Sequence, residues 1–143
     1  MIKPTGTTGT AAPTKLVALV VDDDEDLVYT MSHLVARKGF QVHNALNGAK
    51  ALAKLPAITP QVVFLDIGLP DQSGYDVCKQ LRQSPAGAEA YIVAVTGRDE
   101  PGDLLREANS GFDQHVTKPM TPAALNQILE TVRIRQAVPR KGA

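Results

Sequence analysis

Five short segments carry a strand signal, Leu16 to Val21, Gln41 to Ala45, Val62 to Leu65, Tyr91 to Val95 and Gln114 to Val116, mostly as continuous β-branched runs rather than polar-apolar alternation. Continuous runs predict strands covered on both faces, as in a parallel sheet. The stretches between them have helical character and ordinary stop signals. Helices are predicted from Asp26 to Lys38, ended by Gly39, from Asn47 to Leu55, ended by Pro56, and from Gly74 to Arg82, ahead of Pro85. Two more are predicted from Pro101 to Asn109, closed by Gly111, and from Thr121 to about Arg135, where Thr121 can cap and Pro122 occupies the first turn. Strands alternating with helices are the pattern of right-handed βαβ crossovers, so the fold class is α/β with a parallel sheet.

Length and charge narrow the picture. The 143 residues fit one domain, expected at 15–135, between a tail rich in Thr, Gly, Ala and Pro at 1–14 and a second tail at 136–143. Fifteen basic residues balance fifteen acidic ones, which withholds the cationic footprint of a nucleic-acid-binding domain, so no direct nucleic-acid partner is expected. Cys78 stands alone and cannot form an internal disulfide. No apolar stretch approaches the roughly 18 residues of a membrane span, and residues 1–14 lack the continuous apolar core of a secretory signal. A cytoplasmic, reduced setting without membrane attachment is the expectation.

In an open α/β sheet the ligand site forms beyond the carboxyl ends of the strands. Four of the five strand ends here hold a reactive polar group: Asp22-Asp23-Asp24 after the first strand, Asp66 after the third, Thr96 after the fourth and Lys118-Pro119 after the fifth. Asp66 is the most informative, because a carboxylate that closes the buried run Val62-Val63-Phe64-Leu65 is poorly placed for mere solubility. Carboxylates gathered from neighbouring strands repel one another unless a cation lies between them. Magnesium prefers oxygen ligands and keeps some water, so Asp22, Asp23, Asp66 and the carbonyl of Gly68 form a suitable half-shell. An aspartate can attack phosphorus to give an acyl phosphate, and the demanding part is neutralising the transferring group. Magnesium, Lys118 and the Thr96 hydroxyl match that need.

The motifs Val20-Val21-Asp22-Asp23, Leu65-Asp66-Ile67-Gly68-Leu69-Pro70, Val95-Thr96-Gly97 and Thr117-Lys118-Pro119 resemble those of CheY-like response-regulator receiver domains in order and spacing. The resemblance covers roughly residues 15 to 133, with Ser73-Gly74-Tyr75 and Gly111-Phe112-Asp113 also in place. It implies a doubly wound, flavodoxin-like sheet of five parallel strands in the order 2-1-3-4-5. It further implies that Asp66 is the phospho-acceptor, that Asp22, Asp23, Asp66 and Gly68 hold magnesium, and that Thr96 and Lys118 contact the phosphoryl group. The expected donor is a histidine kinase or histidine phosphotransfer protein, and the downstream partner stays unidentified. Such a chain is a signalling switch rather than an enzyme, although it assists its own phosphorylation and dephosphorylation. Its wording also resembles receivers attached to hybrid sensor histidine kinases. His115 departs from the pattern, since that position usually carries an aromatic Tyr or Phe that reports the phosphorylated state. An imidazole is flat enough to fill the same space and adds a polar edge.

Plainer readings compete. Asp24 and Asp26 fit a helix start, where carboxylates favour the positive end of the dipole. Cys78, inside an apolar helical pattern, reads as a small core residue, and His33 and His43 show no metal spacing. Asp22-x-Asp24 superficially resembles the nucleophile motif of haloacid-dehalogenase-type phosphohydrolases, with Asp22 as nucleophile. However, Glu25-Asp26 follows in place of a Gly-Thr type pair, and the chain is too short for a substantial cap domain. A partner-binding pseudo-receiver that is never phosphorylated is opposed by the intact set of Asp22, Asp23, Asp66, Thr96 and Lys118.

Overall fold

The computed structural model describes residues 15–97 and 111–137. The helix expected at 101–109, the tail at 1–14 and most of the tail at 136–143 lie outside these residues. Among the described residues the elements are, in chain order, β1 (Val17–Val21), α1 (Glu25–Arg37), β2 (Gln41–Ala45), α2 (Gly48–Ile58), β3 (Val62–Asp66), α3 (Gly74–Gln83), β4 (Tyr91–Thr96), β5 (Gln114–Thr117) and α4 (Pro122–Ala137). All sheet pairings are parallel, and the strand order is β2-β1-β3-β4-β5, the doubly wound order expected.

Side chains on a strand point alternately to opposite faces, so each continuous apolar run feeds two cores. Ala18, Val20, Val62, Phe64, Val93 and Val95 pack with Val28, Met31 and Val35 of α1 and with Leu125, Ile128, Leu129 and Val132 of α4. Leu19, Val21, Val63, Leu65 and Ile92 pack on the other face with Ala51 and Leu55 of α2 and with Val77, Cys78 and Leu81 of α3. Each large aliphatic side chain buried in this way contributes about 1.5–3 kcal/mol relative to exposure. Cys78 is a core residue, as expected. The edge strands differ from the covered-strand expectation: β5 alternates between partly buried and exposed positions, and in β2 only Ala45 is buried, with Gln41 and Asn44 exposed.

Helix termini follow sequence chemistry. Asp24 caps α1 by accepting hydrogen bonds from the amides of Asp26 (3.0 Å) and Leu27 (3.2 Å), and Gly39 beyond the helix adopts φ +96°. Thr121 caps α4 through a 3.1 Å hydrogen bond from the Ala124 amide, and Pro122 is the first helical residue. The stop signal at Pro56 misleads. Helix α2 continues through Pro56 to Ile58 and closes at Thr59, which takes the left-handed conformation. The proline falls in the last turn and is exposed, so it forfeits one hydrogen bond, while continuation lets Ile58 pack against the core beside Leu55. No described helix is long and apolar enough to cross a membrane.

Candidate functional site

The carboxyl ends of β1, β3, β4 and β5 meet at one edge of the sheet. Asp22 follows β1 directly, and Asp66 and Thr96 are the last residues of β3 and β4. The strands carry these polar groups into the protein: Asp22, Asp66 and Thr96 are its buried polar residues among those described. One carboxylate oxygen each from Asp22, Asp23 and Asp66 lies within 4.8 Å of the other two, with Asp23 the exposed member.

Opposite charge comes from the end of β5. Lys118 Nζ stands 2.9 Å from Asp22 Oδ2 and 3.6 Å from Asp66 Oδ1, and its side chain is three-quarters covered. The Lys118 amide donates to the Thr96 carbonyl at 2.7 Å, which fixes the start of that side chain relative to β4. Asp22 Oδ1 accepts from the Asp24 amide at 2.9 Å, so both oxygens of this buried carboxylate have partners. Asp66 Oδ1 accepts from the Gly68 amide at 3.1 Å, which folds the loop after β3 back over the end of that strand. Three carboxylates thus face one ammonium among the described residues. A hard divalent cation with oxygen ligands suits that donor set and that surplus of negative charge.

The expected site residues therefore converge. Asp22, Asp23 and Asp66 are grouped, Lys118 reaches Asp22 and Asp66, and Gly68 joins through its amide. Thr96 Oγ1 is 3.2 Å from His115 Nε2, so these two are hydrogen-bonded across β4 and β5. The imidazole is exposed on its strand rather than packed in the core. Asp24 is not part of the group, because its carboxylate caps α1. Neither His33 nor His43 belongs to a metal-binding group among the described residues: His33 stacks on Tyr29, and His43 Nε2 meets the Gln41 side chain at 3.3 Å.

Two supporting residues escaped the sequence reading. Asp71, in the loop after Asp66, binds the first two amides of α2. Arg82 of α3 donates to the carbonyls of Ala90 (2.6 Å) and Gly111 (2.7 Å) and pairs with Asp113 (2.6 Å), which ties α3 to the lead-in of β5. Asp113 in turn accepts from the Ile92 amide at 2.8 Å. Both act across more than 20 residues of sequence, where no local pattern signals a partner.

Residues 18–130 match the sequence profile of the response regulator receiver domain. The chain belongs to that family. The receiver domain is 34% identical over 120 residues to the alkaline phosphatase synthesis transcriptional regulatory protein PhoP of Bacillus subtilis, covering 84% of this chain and 49% of that protein. It is 38% identical over 125 residues to the sensory transduction protein RegX3 of Mycolicibacterium smegmatis, covering 87% of this chain and 51% of that one. The receiver domain thus spans about half the length of these curated relatives. Among solved structures it resembles a CheY-like response regulator receiver domain from Methylobacillus flagellatus, with TM-score 0.73 and 33% identity over 83% of this chain and 99% of that one. A two-component response regulator from Clostridium difficile superposes with TM-score 0.78 at 26% identity, covering 87% of this chain and 100% of that one. The receiver domain is accordingly a phospho-accepting signalling switch of two-component systems.

Proposed function

We propose that Asp66 is the acceptor, taking a phosphoryl group from the phosphohistidine of a histidine kinase or histidine phosphotransfer protein in the cytoplasm. A carboxylate oxygen of Asp66 attacks phosphorus, the bond from phosphorus to the histidine nitrogen breaks, and that nitrogen leaves with the electron pair and takes up a proton. The observation that carries this reading is the meeting of Asp22, Asp23, Asp66 and Lys118 at the carboxyl edge of the sheet.

Asp22, Asp23, Asp66 and the Gly68 carbonyl would hold magnesium, which supplies positive charge to the transferring oxygens. Lys118 then turns from Asp22 towards the phosphoryl group, and the Thr96 hydroxyl donates to one of its oxygens. The same groups can assist hydrolysis of the acyl phosphate, which resets the switch. Phosphorylation adds up to about two negative charges, so the Thr96 loop follows its hydroxyl and the change reaches His115. The hydrolase alternative is disfavoured because its second aspartate, Asp24, is committed to the α1 cap.

Incubation with a small acyl-phosphate donor and magnesium, read by intact mass, tests the reading. One phosphate per chain is expected, stopped by chelation or by Asp66→Asn, and Asp23→Ala should weaken magnesium binding. Normal labelling of Asp66→Asn, together with its loss in Asp22 variants, would transfer the nucleophile to Asp22 and overturn the assignment.

A further inference from the structure

The first turn of α2 is completed by a residue that is not its own. Helix α2 has no acidic side chain in its first turn. Its N-cap Asn47 accepts from the Lys50 amide at 2.8 Å. The two amides left over, Gly48 and Ala49, donate to Asp71 Oδ1 and Oδ2, each at 2.9 Å. One carboxylate therefore satisfies two of the unpaired donors of a helix start and places its charge at the positive end of the dipole. These two amides, Gly48 foremost, hold the Asp71 carboxyl below its ordinary value of 3.8, so it is ionised at neutral pH.

Asp71 lies in the loop between Asp66 and α3, and the rest of that loop is pinned at several points. The Ile67 amide donates to the Val95 carbonyl (3.2 Å), the Gly68 amide to Asp66 Oδ1 (3.1 Å) and the Gly74 amide to the Ile67 carbonyl (2.8 Å). Leu69 is buried in the core shared by α2 and α3. At the other side of the contact, a Cβ on Gly48 would come within 2.7 Å of Val77 and 2.9 Å of Gln72, so α2 begins flush against the same loop and α3. Gly68 thus sits between an anchor at Asp66 and an anchor at Leu69 and Asp71.

We propose that Asp71 is a positioning residue for the phosphoryl site: by clamping the loop to the α2 N-terminus it holds the Gly68 carbonyl in place for the metal ion. The inference rests on the magnesium and acceptor roles assigned above. It assigns Asp71 no contact with metal or phosphate. A purely structural cap would stabilise α2 and leave metal affinity alone, whereas a positioning clamp sets the geometry of a ligand in another loop.

Asp71→Ala, Asp71→Asn and Asn47→Ala in the full chain separate these roles. Amide chemical shifts of the metal-free proteins and titration with magnesium chloride supply readouts independent of phosphorylation, and labelling by a small acyl phosphate supplies the rate. Asp71→Ala is expected to shift the Gly68 and Leu69 amides, weaken magnesium binding about tenfold, as loss of an outer-shell support does, and slow labelling. Asn47→Ala, which loosens the same helix end without touching the loop, should lower thermal stability and leave magnesium affinity unchanged. Asp71→Asn keeps one acceptor oxygen and should fall between; it is the informative variant if Asp71→Ala does not fold. Wild-type magnesium affinity in folded Asp71 variants, or an equal loss in Asn47→Ala, would overturn the proposal. Normal labelling of Asp66→Asn would remove the underlying reading as well, which distinguishes failure of the site from failure of the clamp.

Discussion

Lys118 Nζ lies 2.9 Å from Asp22 Oδ2, so a buried carboxylate at the end of one strand is neutralised by an ammonium from the end of another. The same ammonium is 3.6 Å from Asp66. It supplies counter-charge of the kind that a divalent cation among the three carboxylates would also supply.

Replacing Lys118 with Gln should separate the two roles of that charge. Asp22 would lose its ionic partner while staying buried, which should destabilise the metal-free protein by about 1–3 kcal/mol in urea unfolding. Removal of a competing cation should at the same time tighten magnesium binding about tenfold, equivalent to about 1.4 kcal/mol. Phosphorylation should nevertheless slow, because no ammonium remains for the transferring group. Unchanged or weaker magnesium binding would show that Lys118 does not oppose the ion.

His115→Ala tests how the phosphorylated state is read. Its imidazole is bonded to the Thr96 hydroxyl at 3.2 Å, so a hydroxyl drawn to the phosphoryl group must change that bond. Labelling of Asp66 should stay nearly intact, and the phosphorylation-dependent shifts of amides in β5 and α4 should shrink. Identical shift changes in both proteins would discard a reporting role for His115.

Gly74 begins α3 directly over the end of β3, where a Cβ would come within 2.5 Å of the Asp66 carbonyl oxygen and 2.6 Å of Ile67 Cα. Backbone atoms cannot rotate aside. Gly74→Ala should therefore destabilise by about 1–3 kcal/mol or more and slow labelling per folded molecule, since relief requires movement of Asp66 or of α3. Unfolding midpoints and labelling rates measured together check both effects; wild-type values would show that α3 shifts at no cost.

Burial pushes the Cys78 thiol from 9.0 up to about 12. The folded protein thus favours the neutral thiol, and this contribution to stability is fully present below pH 9.0 and declines as pH rises towards about 12. A thiol reagent at pH 8 should modify Cys78 at the rate of unfolding and no faster, because thiolate and access are both lacking in the folded state. Rapid modification under native conditions would contradict the core assignment.

The strands, their order of appearance and the polar groups at their ends were legible in the sequence, because each is a local pattern. A continuous β-branched run marks a strand buried on both faces, and a parallel sheet brings the carboxyl ends of such strands to one edge. The sequence pattern therefore places Asp22, Asp66, Thr96 and Lys118 near one another. The division of the acidic run was legible as well: Asp22 and Asp23 join Asp66, whereas Asp24, one residue further on, turns its carboxylate to the α1 amides as a helix-start residue does. Tertiary structure decided which long-range contacts support the site. It also carried α2 through Pro56, where the proline forfeits one hydrogen bond in a final turn and Ile58 packs, partly buried, against the core. The clamp of Asp71 on Gly48 and the brace of Arg82 on Asp113 arise the same way. Their partners are 23 and 31 residues apart along the chain, and only the packing of helices on the sheet brings donor and acceptor within hydrogen-bond distance.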